Sequence, residues 1–177
     1  MRLFIAVTLS DELKKTITGT LHEMKKASVH GSYVSTQNLH LTLAFIGETK
    51  NTAAVKEALR TVAFKPFKLS LSDLGTFGDL LWVGMKGNQG LSGAAKGVRD
   101  ALDAAGIDYD RKKFVPHITI IRKMSGNWKQ VKAPKGDMMV KKISLMKSEQ
   151  KDGKRIYKER VCEKISVNRI SCDRIYA

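Results

Sequence analysis

Two tetrapeptides carry the side chains best suited to chemistry: His40-Leu41-Thr42-Leu43 and His117-Ile118-Thr119-Ile120. In a β-strand successive side chains point to opposite faces, so each His shares one face with the Thr two residues on, while the apolar residues turn to the other face. Such a strand anchors itself in a core and offers one imidazole and one hydroxyl to a cleft. An imidazole has an ordinary pKa near 6.5, so at one pH one ring can be neutral and the other protonated. That is what concerted acid–base cleavage of a phosphoester requires, each role contributing roughly 10²–10⁴-fold. Threonine hydroxyls can donate to the non-bridging phosphate oxygens and stabilise the charge of the transition state.

Two other readings of the same residues remain. Threonine is a good strand former, so the pair could be half-buried strands without chemistry. With only four histidines in the chain, matched tetrapeptides around two of them are a poor fit to chance. A two-His metal site would recruit a third ligand and supporting carboxylates, and neither motif carries Asp, Glu or Cys at ligand spacing. His22 and His30 lack any motif and read as surface residues.

Composition narrows the substrate. The 177-residue chain has 32 basic against 17 acidic residues, a formal charge of +15, which favours a polyanionic partner, nucleic acid before an acidic membrane surface. A 2′,3′-cyclic phosphate suits the motifs, because ring strain supplies driving force and the leaving alkoxide needs a proton. Such ends occur on RNA, where the 2′-hydroxyl exists. Cys162 and Cys172 are the only cysteines and show no disulfide or zinc spacing. The opening Met1–Ser10 is too short an apolar run for a signal peptide, and no run approaches the roughly 18 apolar residues of a membrane span, so the cytoplasm is the expected compartment.

Several elements must position the motifs. Leu3–Leu9 reads as a buried strand. Ser10 caps a helix over Asp11–Lys26 whose inner face is Leu13, Ile17, Leu21 and Met24. A loop with Gly31 and Tyr33 leads into a strand over Leu39–Ile46, closed by Gly47. Asn51 caps a helix over Thr52–Val62. Phe67–Leu74 alternates as a half-exposed strand, and Gly75, Gly78 and Asp79 turn the chain into a strand over Leu80–Met85. A third helix runs from about Leu91 to Ala105, with Gly106 as its left-handed stop. The second motif strand starts behind Pro116 and runs to about Arg122. Ser125–Asp137 is a basic surface loop, Met138–Leu145 and Ile156–Ile165 are strands, and Glu149–Arg155 is a hairpin connection holding Asp152-Gly153. Residues 166–177 form a tail or an edge strand.

Leu3 precedes His40 by the same interval as Leu80 precedes His117, and each half reads strand, helix, loop, His-x-Thr strand. Self-similarity at a fixed offset suggests an internal repeat over 3–47 and 80–124. The expected fold is α+β: one domain over 1–177, built of two similar lobes related by a pseudo-twofold. Each lobe is a small, mainly antiparallel sheet with outer helices, and the active cleft lies between them.

At these residues the chain resembles the two-histidine phosphoesterase superfamily, specifically the bacterial and archaeal RNA 2′,3′-cyclic phosphodiesterases, also called 2′-5′ RNA ligases. The resemblance covers about residues 1–165. It rests on the opening Met1–Val7, on Asn38–Glu48 around the first motif, and on Pro116–Ile120 followed by Arg122, with a looser match at Ser148, Gly153 and Tyr157. The resemblance implies that His40 is the proton donor to the 3′-oxygen and His117 the proton acceptor that activates water, giving a 2′-phosphate. It implies that Thr42 and Thr119 hold the phosphate, that neither metal nor other cofactor takes part, and that the reverse reaction makes a 2′-5′ linkage. Arg122 matches a family arginine that contacts phosphate, or is a solvated strand-end charge. Tyr33 stands where the family has an aromatic, and either stacks on a base or packs in the core. Phe77 and Trp82 read as core residues. The expected partner is RNA, with no membrane, and the protein a monomer. The rivals are a phosphodiesterase for another cyclic nucleotide or a 2′-5′ oligonucleotide, and a basic RNA-binding module without turnover.

Overall fold

The structure, a computed structural model, describes residues 1–164; the tail or edge strand expected over 166–177 lies outside them. The chain begins with β1 (Arg2–Thr8), whose Leu3, Ile5 and Val7 are buried on one face and Phe4 and Ala6 on the other. Helix α1 (Asp11–Lys26) follows directly, because Ser10 Oγ accepts the Leu13 N–H at 3.3 Å. Its acids stand in the first turn and its lysines in the last, as the helix dipole favours. After α1 come β2 (His30–Tyr33), a 3-10 turn at Thr36–Asn38, and β3 (His40–Glu48). Helix α2 (Thr52–Arg60) is capped by Asn51, then β4 (Phe67–Phe77) and β5 (Leu80–Met85) form a hairpin. Helix α3 (Gln89–Ala104) starts two residues earlier than the sequence suggested, since Asn88 Oδ1 accepts the Leu91 N–H at 3.2 Å. Gly106, at φ 65°, ends it as expected. The remaining elements are β6 (His117–Ser125), β7 (Asp137–Val140), β8 (Lys142–Lys151) and β9 (Lys154–Lys164).

These strands make two antiparallel sheets, β3-β1-β8-β9 and β2-β6-β5-β4-β7. Each sheet gives one face to a continuous core shared with the helices, and each fully buried Leu, Ile or Val there contributes about 1.5–3 kcal/mol. Helix α3 packs along β3 and α2, while α1 reaches the second sheet, where the Ser10 N–H meets Met138 Sδ at 3.4 Å. This is the α+β fold of two mainly antiparallel sheets with outer helices that the sequence predicts.

Two segments depart from expectation. Met138–Leu145 is not one strand. It leaves the second sheet after Val140, passes exposed Lys141, and enters the first sheet as β8, the paired lysines 141 and 142 interrupting the apolar run. The Gly31–Tyr33 loop is the edge strand β2, hidden from pattern reading because most of it is exposed and Gly31 sits at φ 144°. A side chain at Gly31 would strike the backbone of Arg122, so only glycine lets β2 close on β6. Thus β2, which lies between α1 and β3 in sequence, belongs to the sheet of the second motif. The connection Glu149–Arg155 contracts to the two-residue turn Asp152-Gly153, both at positive φ, 51° and 72°.

On β5, the Trp82 indole folds over its cross-strand partner Gly75 and beside Gly84. A Cβ at Gly75 would collide with that ring. Gly75→Ala is therefore expected to cost about 1–3 kcal/mol by overpacking, read by urea denaturation; a change within about 0.5 kcal/mol would show that the indole is free to move aside.

Candidate active site

Strands β3 and β6 bring the two motifs onto facing surfaces. Leu41, Leu43, Ile118 and Ile120 are buried in the core, and His40, Thr42, His117 and Thr119 line a single cavity of about 720 Å³. Each strand then departs from alternation at the same place. Thr42 pairs with Ala6 and Ala44 with Ile5, so Leu43 is an extra residue opposite β1. Thr119 pairs with Trp82 and Ile121 with Leu81, so Ile120 is an extra residue opposite β5. These β-bulges bury two successive residues, Leu43-Ala44 and Ile120-Ile121, and reverse the facing of the residues that follow, Phe45 on β3 and Arg122 on β6. Strict alternation from His117 would send Arg122 into the core; the bulge sends it, and Phe45 on β3, to the cavity. The carbonyls of the bulged residues are not left bare. Ile120 O accepts the Val34 N–H at 2.9 Å, and Leu43 O accepts from Arg99 Nε at 3.5 Å.

The imidazoles are fixed in the same way. His40 Nδ1–H donates to Asn38 O at 2.7 Å, and His117 Nδ1–H donates to Val115 O at 2.7 Å. A carbonyl can only accept, so Nδ1 carries the hydrogen in both rings and Nε2 is the atom available for proton transfer. Aromatic rings enclose each imidazole. Phe4 lies 4.8 Å and Tyr157 4.9 Å from His40; Phe77 lies 5.1 Å and Trp82 6.2 Å from His117. The last hairpin is held to the first motif by Asn38 Nδ2, which donates to Arg155 O at 2.8 Å. His40 is the more deeply enclosed, and burial pushes its pKa below 6.5 despite the Asn38 hydrogen bond; the charges of Arg122 and His117 push it further down.

Of the residues singled out in the sequence, Arg122 faces the cavity, and among the described residues no carboxylate pairs with it. Tyr33 does not line the cavity. Its hydroxyl donates to Val29 O at 2.6 Å and Lys25 lies over its ring, the packing alternative of the sequence reading. Phe77 and Trp82 are not core residues. Phe77, 44% exposed, stands on the cavity rim, and Trp82 is half-buried beneath it at 5.2 Å. The β4–β5 turn brings them there, and apolar type alone did not distinguish a cleft face from a core face. Arg99, Asp110, Lys112 and Lys113 also line the cavity and were not anticipated; the one hint was a pair of lysines just before Phe114-Val115-Pro116-His117. Among the described residues, no three His, Cys, Asp or Glu side chains gather as a metal site needs.

Residues 9–152 match the family model of the 2′-5′ RNA ligase superfamily. The chain is 36% identical over 132 residues to the RNA 2′,3′-cyclic phosphodiesterase of Geobacillus stearothermophilus, an alignment covering 70% of this chain and 42% of that one. It is thus less than half the length of that relative that the match spans. With the RNA 2′,3′-cyclic phosphodiesterase of Archaeoglobus fulgidus identity is 34% over 129 residues, covering 69% and 72% of the two chains. The crystal structure of Escherichia coli LigT in apo form superposes with a TM-score of 0.79 at 27% identity, covering 93% of this chain and 96% of that one.

The Arg122 charge is one of the causes that depress the His40 pKa, so removing it must let that pKa rise. In Arg122→Gln the His40 titration, followed by NMR at ring Cε1–H, is expected to move upward while staying below 6.5, because burial persists. An unchanged or lower midpoint would mean that Arg122 does not face the ring.

Proposed function

The chain belongs to the 2′-5′ RNA ligase superfamily, and we propose that it hydrolyses RNA 2′,3′-cyclic phosphate ends to 2′-phosphates, with His40 as proton donor and His117 as proton acceptor. The observation that carries this reading is the pair of Nδ1-anchored imidazoles on one cavity that Thr42, Thr119 and Arg122 also line, groups able to hold an anion. His117 Nε2 takes a proton from water, and the water oxygen forms a bond to phosphorus. The bond from phosphorus to O3′ breaks, and that oxygen takes the proton on His40 Nε2. The products are a 2′-phosphomonoester and a free 3′-hydroxyl. The threonine hydroxyls and the Arg122 guanidinium carry the charge of the phosphorane-like transition state. By microscopic reversibility, a 5′-hydroxyl in place of water gives 2′-5′ ligation. The reaction is metal-independent in this reading, since two imidazoles supply both proton transfers.

The depressed His40 pKa shapes the donor role. In the free protein burial and the neighbouring Arg122 charge oppose protonation of His40 and hold its pKa below 6.5. A phosphodiester in the cavity cancels the repulsion, so substrate binding draws a proton onto Nε2. The reading places one bilobal domain over 1–177, acting as a cytoplasmic monomer on RNA; among the described residues no helix is long and apolar enough to cross a membrane.

The test is a short RNA ending in a 2′,3′-cyclic phosphate, incubated with the protein in EDTA. Wild type is expected to turn over and His40→Ala and His117→Ala each to lose more than about 10²-fold. Turnover that requires the chelated metal, or that survives either substitution, defeats the proposal. A donor must be protonated, so activity falls as pH rises through the His40 pKa. The alkaline limb of kcat/KM, which reports the free protein, is expected at lower pH than the alkaline limb of kcat, which reports the complex. Coincident limbs would show that substrate does not draw a proton onto His40.

A further inference from the structure

The proposed reaction assigns His40, His117, Thr42, Thr119 and Arg122 to the phosphate that is cleaved, yet the same cavity is lined by three further cations, Arg99, Lys112 and Lys113, of which Arg99 is engaged with backbone carbonyls. The two lysines stand on the loop between Gly106 and β6, and that loop is pinned to the first motif strand. The Asp110 N–H donates to Phe45 O at 2.8 Å. Arg99 joins the Leu43 carbonyl to the Lys112 carbonyl, at 3.5 Å and 3.0 Å, and its guanidinium lies 5.7 Å from the Tyr109 ring and 5.6 Å from the Phe114 ring. Asp110 Oδ1 accepts the Lys112 N–H at 3.1 Å, which closes the turn. Of the three successive cations, Arg111 is drawn outward to Asp103 at 2.9 Å, and only Lys112 and Lys113 line the cavity. Lys112 Nζ lies 3.5 Å from Asp110, a loose pair; Lys113 has no carboxylate partner among the described residues. A solvated charge run needs none of this fixing.

The two lysines stand on a loop fixed at the Phe45 end of the first motif. Their loop docks at Phe45, three residues along β3 from Thr42, which at ~3.3 Å per residue puts it up to about 10 Å away. A ribose whose 2′ and 3′ oxygens are held in the cyclic phosphate has one other position that bears phosphate, the 5′ oxygen. Taking the proposed hydrolysis as its basis, we propose that Lys112 and Lys113 form a subsite for the 5′-phosphate of the terminal nucleotide. The preferred substrate class is then a strand end, or a 5′-phosphorylated nucleotide, rather than a nucleoside 2′,3′-cyclic phosphate alone. Two charge-assisted contacts of this kind distinguish the two by about tenfold or more.

Calorimetry with adenosine 2′,5′-bisphosphate and adenosine 2′-monophosphate, both product-like, measures this without turnover. Wild type is expected to bind the bisphosphate about tenfold or more tightly. The ratio should collapse in Lys112→Ala/Lys113→Ala, return in Lys112→Arg/Lys113→Arg, and persist in Lys14→Ala/Lys15→Ala, which removes equal charge from α1. A ratio that survives the first variant, or that falls equally in the α1 variant, overturns the subsite. Adenosine 2′,3′-cyclic phosphate, with and without a 5′-phosphate, supplies the turnover arm, where the same lysine-dependent preference is expected in kcat/KM. A lysine-dependent binding ratio in a protein that turns over neither compound would uphold the subsite and defeat the hydrolytic reading.

Discussion

Two hydrogen bonds, each 2.7 Å long and each from a ring nitrogen to the carbonyl two residues upstream, decide what this cavity can do. They put the hydrogen on Nδ1 in both histidines and leave both Nε2 atoms for proton traffic. The carbonyls belong to Asn38 and Val115, which lie just outside β3 and β6, so the rings are aimed by backbone that the strands themselves hold in place. The aim is reinforced from outside: Asn38 also grips the last hairpin through Arg155, and that hairpin returns Tyr157 to the His40 ring. Orientation by main chain is less sensitive to substitution than orientation by a neighbouring carboxylate, and it adds no negative charge to a site built for an anion.

The bulges extend this frame. Both motif strands have an extra residue immediately after the Thr, β3 having a second at Ile46, and the shared reversal turns Phe45 and Arg122 into the cavity. The two halves share a bulge after the Thr, a His-to-carbonyl bond and a motif strand that follows a strand and a helix. The halves have diverged in what surrounds the rings. His40 is enclosed by Phe4 and Tyr157, whereas His117 meets the exposed edge of Phe77. The deeper enclosure of His40 is what pushes its pKa below the ordinary imidazole value.

Period-two alternation made the motifs, the core face of each strand and the α+β class legible in the sequence, and the caps at Ser10 and Asn51 and the stop at Gly106 marked helix ends. What escaped has a common cause: information held between segments rather than within them. A bulge is a mismatch of two strands, so nothing in His117–Arg122 alone says that Arg122 turns to the cavity. Exposed β2 has no apolar pattern and exists because β6 offers it an edge. Val140 and Lys142 are near neighbours in sequence but belong to different sheets, and a run of apolar residues does not record that change. Phe77 and Trp82 are apolar by type, and only the fold shows that their face is the cleft. Lys112 and Lys113 read as surface charge until Arg99 and Asp110 fix their loop beside the motifs.

The basic character of the chain sets one further constraint. A cavity that gathers Arg122, Lys112 and Lys113 suits an anion, while burial and the Arg122 charge oppose protonation of the His40 ring, the proposed donor. The two demands are reconciled only when the anion arrives. In the proposed reaction its charge offsets that of Arg122, and His40 then gains its proton in the complex where it is used. Charging His40 in the free protein would place a second cation near Arg122 on a deeply enclosed ring, which burial opposes. In the proposed mechanism the charge that draws in the anion therefore also disfavours the protonated donor in its absence, so that binding and activation coincide.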